Sequence, residues 1–442
     1  MPSRGVVSVA RAALAQAPSS SNTIIGRNFA ASSFKLGSRS VRALTTTTRS
    51  TSRTAVRARP FHTTTARHGY RASAFSASTI TSSTSSRMFS SSADSPVVDS
   101  PIPIFTTVND YRAWRTQATK DDKSVGFVAT MGALHDGHLK LVQASLEEND
   151  YTVVSIFVNP AQFAPTEDLA SYPRTVESDI SKLASLCFKT PSGEDRRVNV
   201  AFVPSVKEMY PNGFTQVVAD QIGAFVEVKG LSHQMEGGSR PTFFRGVATV
   251  VTKLFHIVQP DNTYFGQKDI QQSIVLRRLV SDLVFSHPPS PDHLRVIPTG
   301  RDPTDNLALS SRNAYLTPDS RQIAPVLYRA LKTGQDVWQQ SHWTDSNKEE
   351  RIKATLDSAR AVVLEQAQLC QKDGKNVNLK LDYISLNHPK TLENLEQVLT
   401  EKGASAVDVS EGAILSGAAL VSQGENGKVT RLIDNLLLGF KL

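Results

Sequence analysis

Short apolar runs alternate with longer amphipathic stretches between residues 124 and 298, a pattern met by a parallel sheet wrapped in helices. Residues 124–130, 152–158, 198–203, 263–265 and 294–298 read as strands. Helices are expected at 139–148, after Thr175, at 246–258 and at 270–283. The helix at 246–258 is the clearest: Val247, Val250, Val251, Leu254, Ile257 and Val258 share one face, and Pro260 ends it. Thr175 is placed to cap its helix, with Glu177 and Asp179 in the first turn. Residues 189–197 read as a surface insertion.

Beyond residue 300 the texture changes. Two polar-faced helices, about 320–338 and 347–369, precede strands near 380–386 and 416–432, the latter broken by a turn at 424–427. The fold class expected is α/β: a Rossmann-like parallel-sheet nucleotide-binding domain at 103–298, then a smaller α+β domain at 299–442. Residues 90–102 form a polar, proline-punctuated linker.

Charge is divided unevenly. Residues 1–93 carry thirteen Lys or Arg and no Asp or Glu; the first acid is Asp94. Subtracting them from the net +8 chain leaves 36 basic and 41 acidic residues, so the globular part is acidic and makes no electrostatic case for nucleic acid. The tail, rich in Arg, Ser, Thr and Ala, has the composition of a mitochondrial transit peptide over residues 1–89. Residues 87–90 resemble a matrix-protease site that cuts after Phe89; initiation at Met88 would give a cytoplasmic form instead. No apolar stretch is long enough for a membrane span. Cys187 and Cys370 lack metal-ligand spacing and cannot form a disulfide framework.

The chemistry concentrates in VATMGALHDGH, residues 128–138, between the first strand and its helix. This is the carboxyl edge of a parallel strand, where ligands bind. A helix start offers N–H groups and a positive dipole end to an anion, and His135 and His138 are spaced to face the same one. The segment resembles the HIGH-motif nucleotidyltransferases. Further motifs narrow the resemblance: VNPAQF at 158–163, Glu167-Asp168, Tyr172-Pro173-Arg174-Thr175, Arg240-Pro241, Phe244-Arg245-Gly246-Val247, FGQKDIQQ at 265–272 and LSSRN at 309–313. Together, in this order, they resemble the pantothenate synthetases.

That resemblance implies an ATP-dependent ligase joining (R)-pantoate to β-alanine through a pantoyl-adenylate. It places Met131, Gly132, Ala133, Leu134, His135, Asp136, Gly137 and His138 at ATP, together with Gly266, Gln267, Lys268, Asp269, Leu309, Ser310, Ser311 and Arg312. His138, His135, Lys268 and Arg312 would do the catalytic work by offsetting charge. Gln162 and Gln272 would hold pantoate, and Gln162 β-alanine as well. Mg²⁺ would accompany ATP; its ligands are not readable, with Asp179 a candidate. A homodimer is implied, with no membrane or nucleic-acid partner. The rivals are another HIGH-motif enzyme acting on a different acid, which the paired glutamines argue against, and a nucleic-acid binder with a basic arm. Three departures from the family pattern stand out: Phe243 where bacterial members usually carry His, Gln267 in place of Glu, and a longer 301–309 loop with Asn306 where Gly is common.

Overall fold

The structure is a computed structural model, and it describes residues 100–164, 169–372, 376–424 and 427–442. The expected transit peptide, most of the linker, Glu167, Asp168 and the tip of the turn at 424–427 lie outside the described residues.

In chain order the larger part contains β1 (Ile104–Phe105), α1 (Val108–Lys120), β2 (Val125–Thr130), α2 (Asp136–Glu148), β3 (Tyr151–Ile156), α3 (Val176–Ser185), β4 (Phe188–Lys189), β5 (Asp195–Arg196), β6 (Val198–Phe202), α4 (Val206–Met209), α5 (Glu236–Ser239), α6 (Phe243–Val258), β7 (Asn262–Gly266), α7 (Ile270–Asp282) and β8 (Leu294–Ile297). Six parallel strands pair in the order β1-β6-β3-β2-β7-β8. Because neighbouring residues on a strand point to opposite faces, one run of Val and Phe feeds two cores. Phe127, Val153, Val200 and Phe202 meet α6 and α7 on one face. Val128, Val154 and Ala201 meet α2 and α3 on the other.

Both faces are thus covered, as the alternation requires. The 189–197 insertion is the small β4–β5 hairpin. Helix α6 buries the expected face and, beside it, Phe244, Ala248 and Phe255, leaving Arg245, Thr252, Lys253 and His256 as a narrow polar stripe. It ends where Gln259 turns left-handed (φ +51°) ahead of Pro260. Helix α1 and β1 went unread in the sequence, although Thr107 caps α1 by accepting from Asp110 N. Thr175 precedes α3 but makes no cap bond; its hydroxyl donates to Asp179 instead.

The smaller part contains α8 (Pro318–Ile323), α9 (Val326–Trp338), α10 (Lys348–Lys372), β9 (Val377–Asn387), α11 (Leu395–Lys402), β10 (Ala413–Gln423) and β11 (Thr430–Leu438). The single helix expected at 320–338 is two, divided at Pro325, which lacks an N–H to continue the ladder. Strands β9, β10 and β11 form an antiparallel sheet, order β11-β10-β9. Helices α9 and α10 bury Leu327, Leu331, Leu356 and Val363 against it in a core of its own. The fold class read from the sequence is the one observed.

Candidate active site

Strand order changes direction at β2: β3 lies on one side of it and β7 on the other. Such a switch point opens a crevice at the carboxyl ends of parallel strands. A cleft of about 720 Å³ lies there, walled by the loops after β2, β3, β7 and β8 and, opposite, by β10 and β11.

After β2 the chain turns through Gly132 (φ +86°) and Ala133 (φ +51°). The left-handed region disfavours a residue with a Cβ by about 1–2 kcal/mol, and a buried carboxylate offsets that. Asp179 on α3 accepts from Ala133 N at 2.9 Å, Leu134 N at 2.8 Å and Thr175 Oγ1 at 3.0 Å. Lys182 Nζ donates to the Leu134 carbonyl at 2.6 Å. Asp179, the candidate magnesium ligand, therefore has both oxygens engaged by the loop.

His135 is the N-cap of α2. Its Nδ1 accepts from Gly137 N at 3.1 Å, while His138 Nδ1 accepts from His135 N at 3.4 Å, a reciprocal pair of caps. A Cβ at position 137 would stand 2.8 Å from His135 Cε1, so glycine is what admits the ring. Since a backbone N–H only donates, both Nδ1 atoms are unprotonated, and each ring offers Nε2–H to the cleft. Burial, then the Lys268 ammonium, lowers the His135 pKa to about 4. Burial, the His135 ring and Lys268 lower that of His138 to about 3. Both rings are neutral at pH 7, donors and not cations.

The expectation of free N–H groups at this helix start is corrected. Gly132 N donates to Thr130 Oγ1, Ala133 and Leu134 N to Asp179, and His138 and Leu139 N to the His135 carbonyl. Met131, His135, Gly137 and His138 line the cleft; the Leu134 side chain packs in the core and Asp136 faces solvent.

Gln162, in the turn after β3, and Gln272, on α7, both face the cleft. Gln162 Oε1 accepts from Asn159 Nδ2 at 2.9 Å, which leaves its Nε2 to donate. Arg240 donates to the Gln162 carbonyl at 3.1 Å, and its guanidinium lies 3.9 Å over the Phe243 ring.

Gly266, Lys268 and Asp269 line the cleft from the end of β7, with Lys268 Nζ 3.1 Å from Asp269 Oδ2. Gln267 turns away to Asn435 at 3.3 Å. Leu309, Ser310, Ser311 and Arg312 line the same cleft as Lys268, and Ser311 Oγ donates to the Ala133 carbonyl at 3.3 Å. Asn306 sits at φ +64°, a left-handed position that Asn tolerates, which accounts for its standing where Gly is common.

The family model described as pantoate–β-alanine ligase matches residues 103–437. A Saccharomyces cerevisiae protein named pantoate–β-alanine ligase is 42% identical over 340 residues, 76% of this chain and 99% of that one. The chain belongs to the pantoate–β-alanine ligase family. A pantothenate synthetase of Herpetosiphon aurantiacus is 40% identical over 335 residues, again 76% of this chain and 99% of the relative. The pantothenate synthetase structure from Thermus thermophilus superposes with a TM-score of 0.56 at 37% identity, covering 76% of this chain and 99% of that one. A pantoate–β-alanine ligase structure from Francisella tularensis, complexed with β,γ-ATP and β-alanine, gives 0.51 at 30% identity over 76% and 97%. The chain is therefore an enzyme of ATP-dependent pantothenate formation.

Contacts contributed by the small part of the ligase escaped the sequence. Asn435 Nδ2 donates to the carbonyls of Gln267 and Lys268 at 2.9 Å each, fixing the turn after β7 that carries Lys268. Arg431 forks onto Glu236, which also accepts from Tyr383 Oη at 2.8 Å. Arg301 pairs with buried Asp434 at 2.6 and 2.9 Å. Of the cleft carboxylates, Glu236 and Asp434 are thus engaged by Arg, and Asp269 by Lys268. Among the described residues no cluster of three or more His, Cys, Asp or Glu could cage a metal.

Proposed function

We propose that the enzyme activates (R)-pantoate with ATP as pantoyl-adenylate in this cleft, releasing pyrophosphate, and then transfers the pantoyl group to β-alanine, releasing AMP and giving pantothenate. The observation that carries the reading is the convergence of two neutral imidazole Nε2–H donors, Lys268 and the Gln162 amide on one switch-point cleft. A carboxylate attacking the α-phosphorus of ATP brings anion against anion, so the site must supply positive potential without a protein nucleophile. His135 and His138 donate to phosphate oxygens; Lys268 and Arg312 add full charge; Asp269 accepts from ribose. Gln162 and Gln272 orient the acid, and Gln162 also holds β-alanine by donating from Nε2.

Magnesium bound with ATP would be held by phosphates and water and would supply neutralising charge to the phosphates. Asp179 is assigned to positioning the phosphate loop, because both of its oxygens already accept from that loop and from Thr175. The division between the two domains is read at residues 298/299, after β8 ends the parallel sheet. A homodimer through the larger domain accords with exposed Val217, Val218 and Ile222 there; sedimentation gives the state. Residues 1–89 are read as a mitochondrial address, supported by the family match starting only at residue 103. A reporter carrying residues 1–95 that stays diffuse and full length overturns that assignment.

Pyrophosphate exchange tests the chemistry. Labelled pyrophosphate should enter ATP only when pantoate is present, with no need for β-alanine. His138→Ala should slow exchange by about 10²-fold, as for loss of one preorganised donor. Exchange without pantoate, or with other acids equally, sinks the reading.

A further inference from the structure

Asn159 lies 1% exposed behind Gln162, with all of its hydrogen-bonding capacity used. Its Oδ1 accepts from Ala161 N at 3.4 Å and from Tyr210 Oη at 2.7 Å. Its Nδ2 donates to the Gly246 carbonyl at 3.2 Å and to Gln162 Oε1 at 2.9 Å. Two of these partners are backbone groups of fixed sense: an N–H that only donates and a C=O that only accepts. They settle which end of the Asn159 amide is which. The Tyr210 hydroxyl must then donate, and Gln162 must present both Nε2 hydrogens to the cleft.

Tyr210 is itself fixed from α6. The Lys253 ammonium lies 4.1 Å over the Tyr210 ring and donates to the Met209 carbonyl at 2.6 Å. About two turns earlier on the same helix, Gly246 packs against the Gln162 turn so closely that an added Cβ would stand 2.0 Å from the Ala161 oxygen. Helix α6 thus holds both ends of the relay and its distance from the cleft.

We propose that Tyr210 is a positioning residue for the acid-binding pocket. Acting through Asn159, its hydroxyl anchors the Gln162 amide in the sense that the Ala161 N–H and the Gly246 carbonyl set, in which it receives carboxylate and hydroxyl oxygens and refuses a donor. This rests on the assignment of Gln162 to pantoate made above.

Steady-state pyrophosphate exchange separates the two claims. Wild-type enzyme lacking pantoate-dependent exchange is the failure of that assignment; a wild-type rate with an indifferent Tyr210 is the failure of the relay. Tyr210→Phe removes one hydroxyl from a hydrogen-bonded contact and should raise KM for pantoate about 3- to 10-fold, leaving KM for ATP within about twofold of wild type. Asn159→Asp cannot donate to Gln162 Oε1, so the glutamine must reverse and turn its oxygen toward the substrate carboxylate. Its pantoate KM should rise more than that of Tyr210→Phe, again with little change for ATP. A pantoate KM within about twofold of wild type in Tyr210→Phe, or equal rises for pantoate and ATP, overturns the proposal. Should Tyr210→Phe fail to fold, the same criterion applied to Asn159→Asp decides it.

Discussion

His138 turns its Nδ1 back onto the backbone N–H of His135, 3.4 Å away, and so the ring that faces the cleft is committed to the Nε2–H tautomer. The fold uses each histidine twice, as a helix cap and as a donor to the site. Protonating Nδ1 would set donor against donor and break the cap.

A pH dependence of stability follows. Both folded-state pKa values lie below the ordinary 6.5, at about 4 and about 3. As pH falls through 6.5 the unfolded chain binds protons that the folded chain refuses, so stability is full above that pH and drains away toward pH 4 and below. Denaturant midpoints between about pH 7.5 and pH 4.5 should fall, and fall less steeply in a His135→Asn, His138→Asn double variant. Equal slopes in the two proteins would contradict the shifts.

Asp179→Asn should leave one loop N–H facing an amide N–H₂. The expected loss is about 2 kcal/mol of stability together with a slower pyrophosphate exchange, since the loop sets the histidines. Raising magnesium should not restore the rate. Restoration by magnesium would make Asp179 a metal ligand.

Phe243→His keeps a flat ring beneath the Arg240 guanidinium, so kcat/KM should fall no more than about 3-fold at about pH 8, within the worth of an exposed cation–π contact. Arg240→Ala loses the charged bond to the Gln162 carbonyl as well and should cost about 10- to 100-fold. A dead Phe243→His beside a silent Arg240→Ala would reverse the roles given to this wall.

Val284 holds φ +51° while 85% exposed, a β-branched residue in a region that suits Asn or Gly, with little packing to retain it. Val284→Asn should stabilise the fold by about 1 kcal/mol and raise the thermal midpoint by about 2 °C. A lower midpoint would show that the apolar side chain is retained by a contact of its own.

Strands and helices of the large domain were legible because each is local: Phe127 and Val128 need only alternate, and residues 246–258 need only repeat every third or fourth position. The face read for α6 is the one buried; the further burial of Ala248 and Phe255 comes from partners that no window of sequence contains. Pro325 is a breaker visible in the sequence, and it divides the helix expected at 320–338.

The sequence by itself determined the α/β class, the strand–glycine–histidine–helix motif and some of the residues that line the cleft, His135, His138 and Lys268 among them, because covalent neighbours and short periodicities carry that information. What only the tertiary structure decided is the chemical state of those residues. The neutral histidines follow from burial and from Lys268, 130 positions further on in the case of His138. The sense of the Gln162 amide follows from the Gly246 carbonyl and the Ala161 N–H, and the turn that carries Lys268 is held by Asn435. Protonation and donor direction depend on dielectric and on partners brought close in space, and distance along the chain says nothing of either.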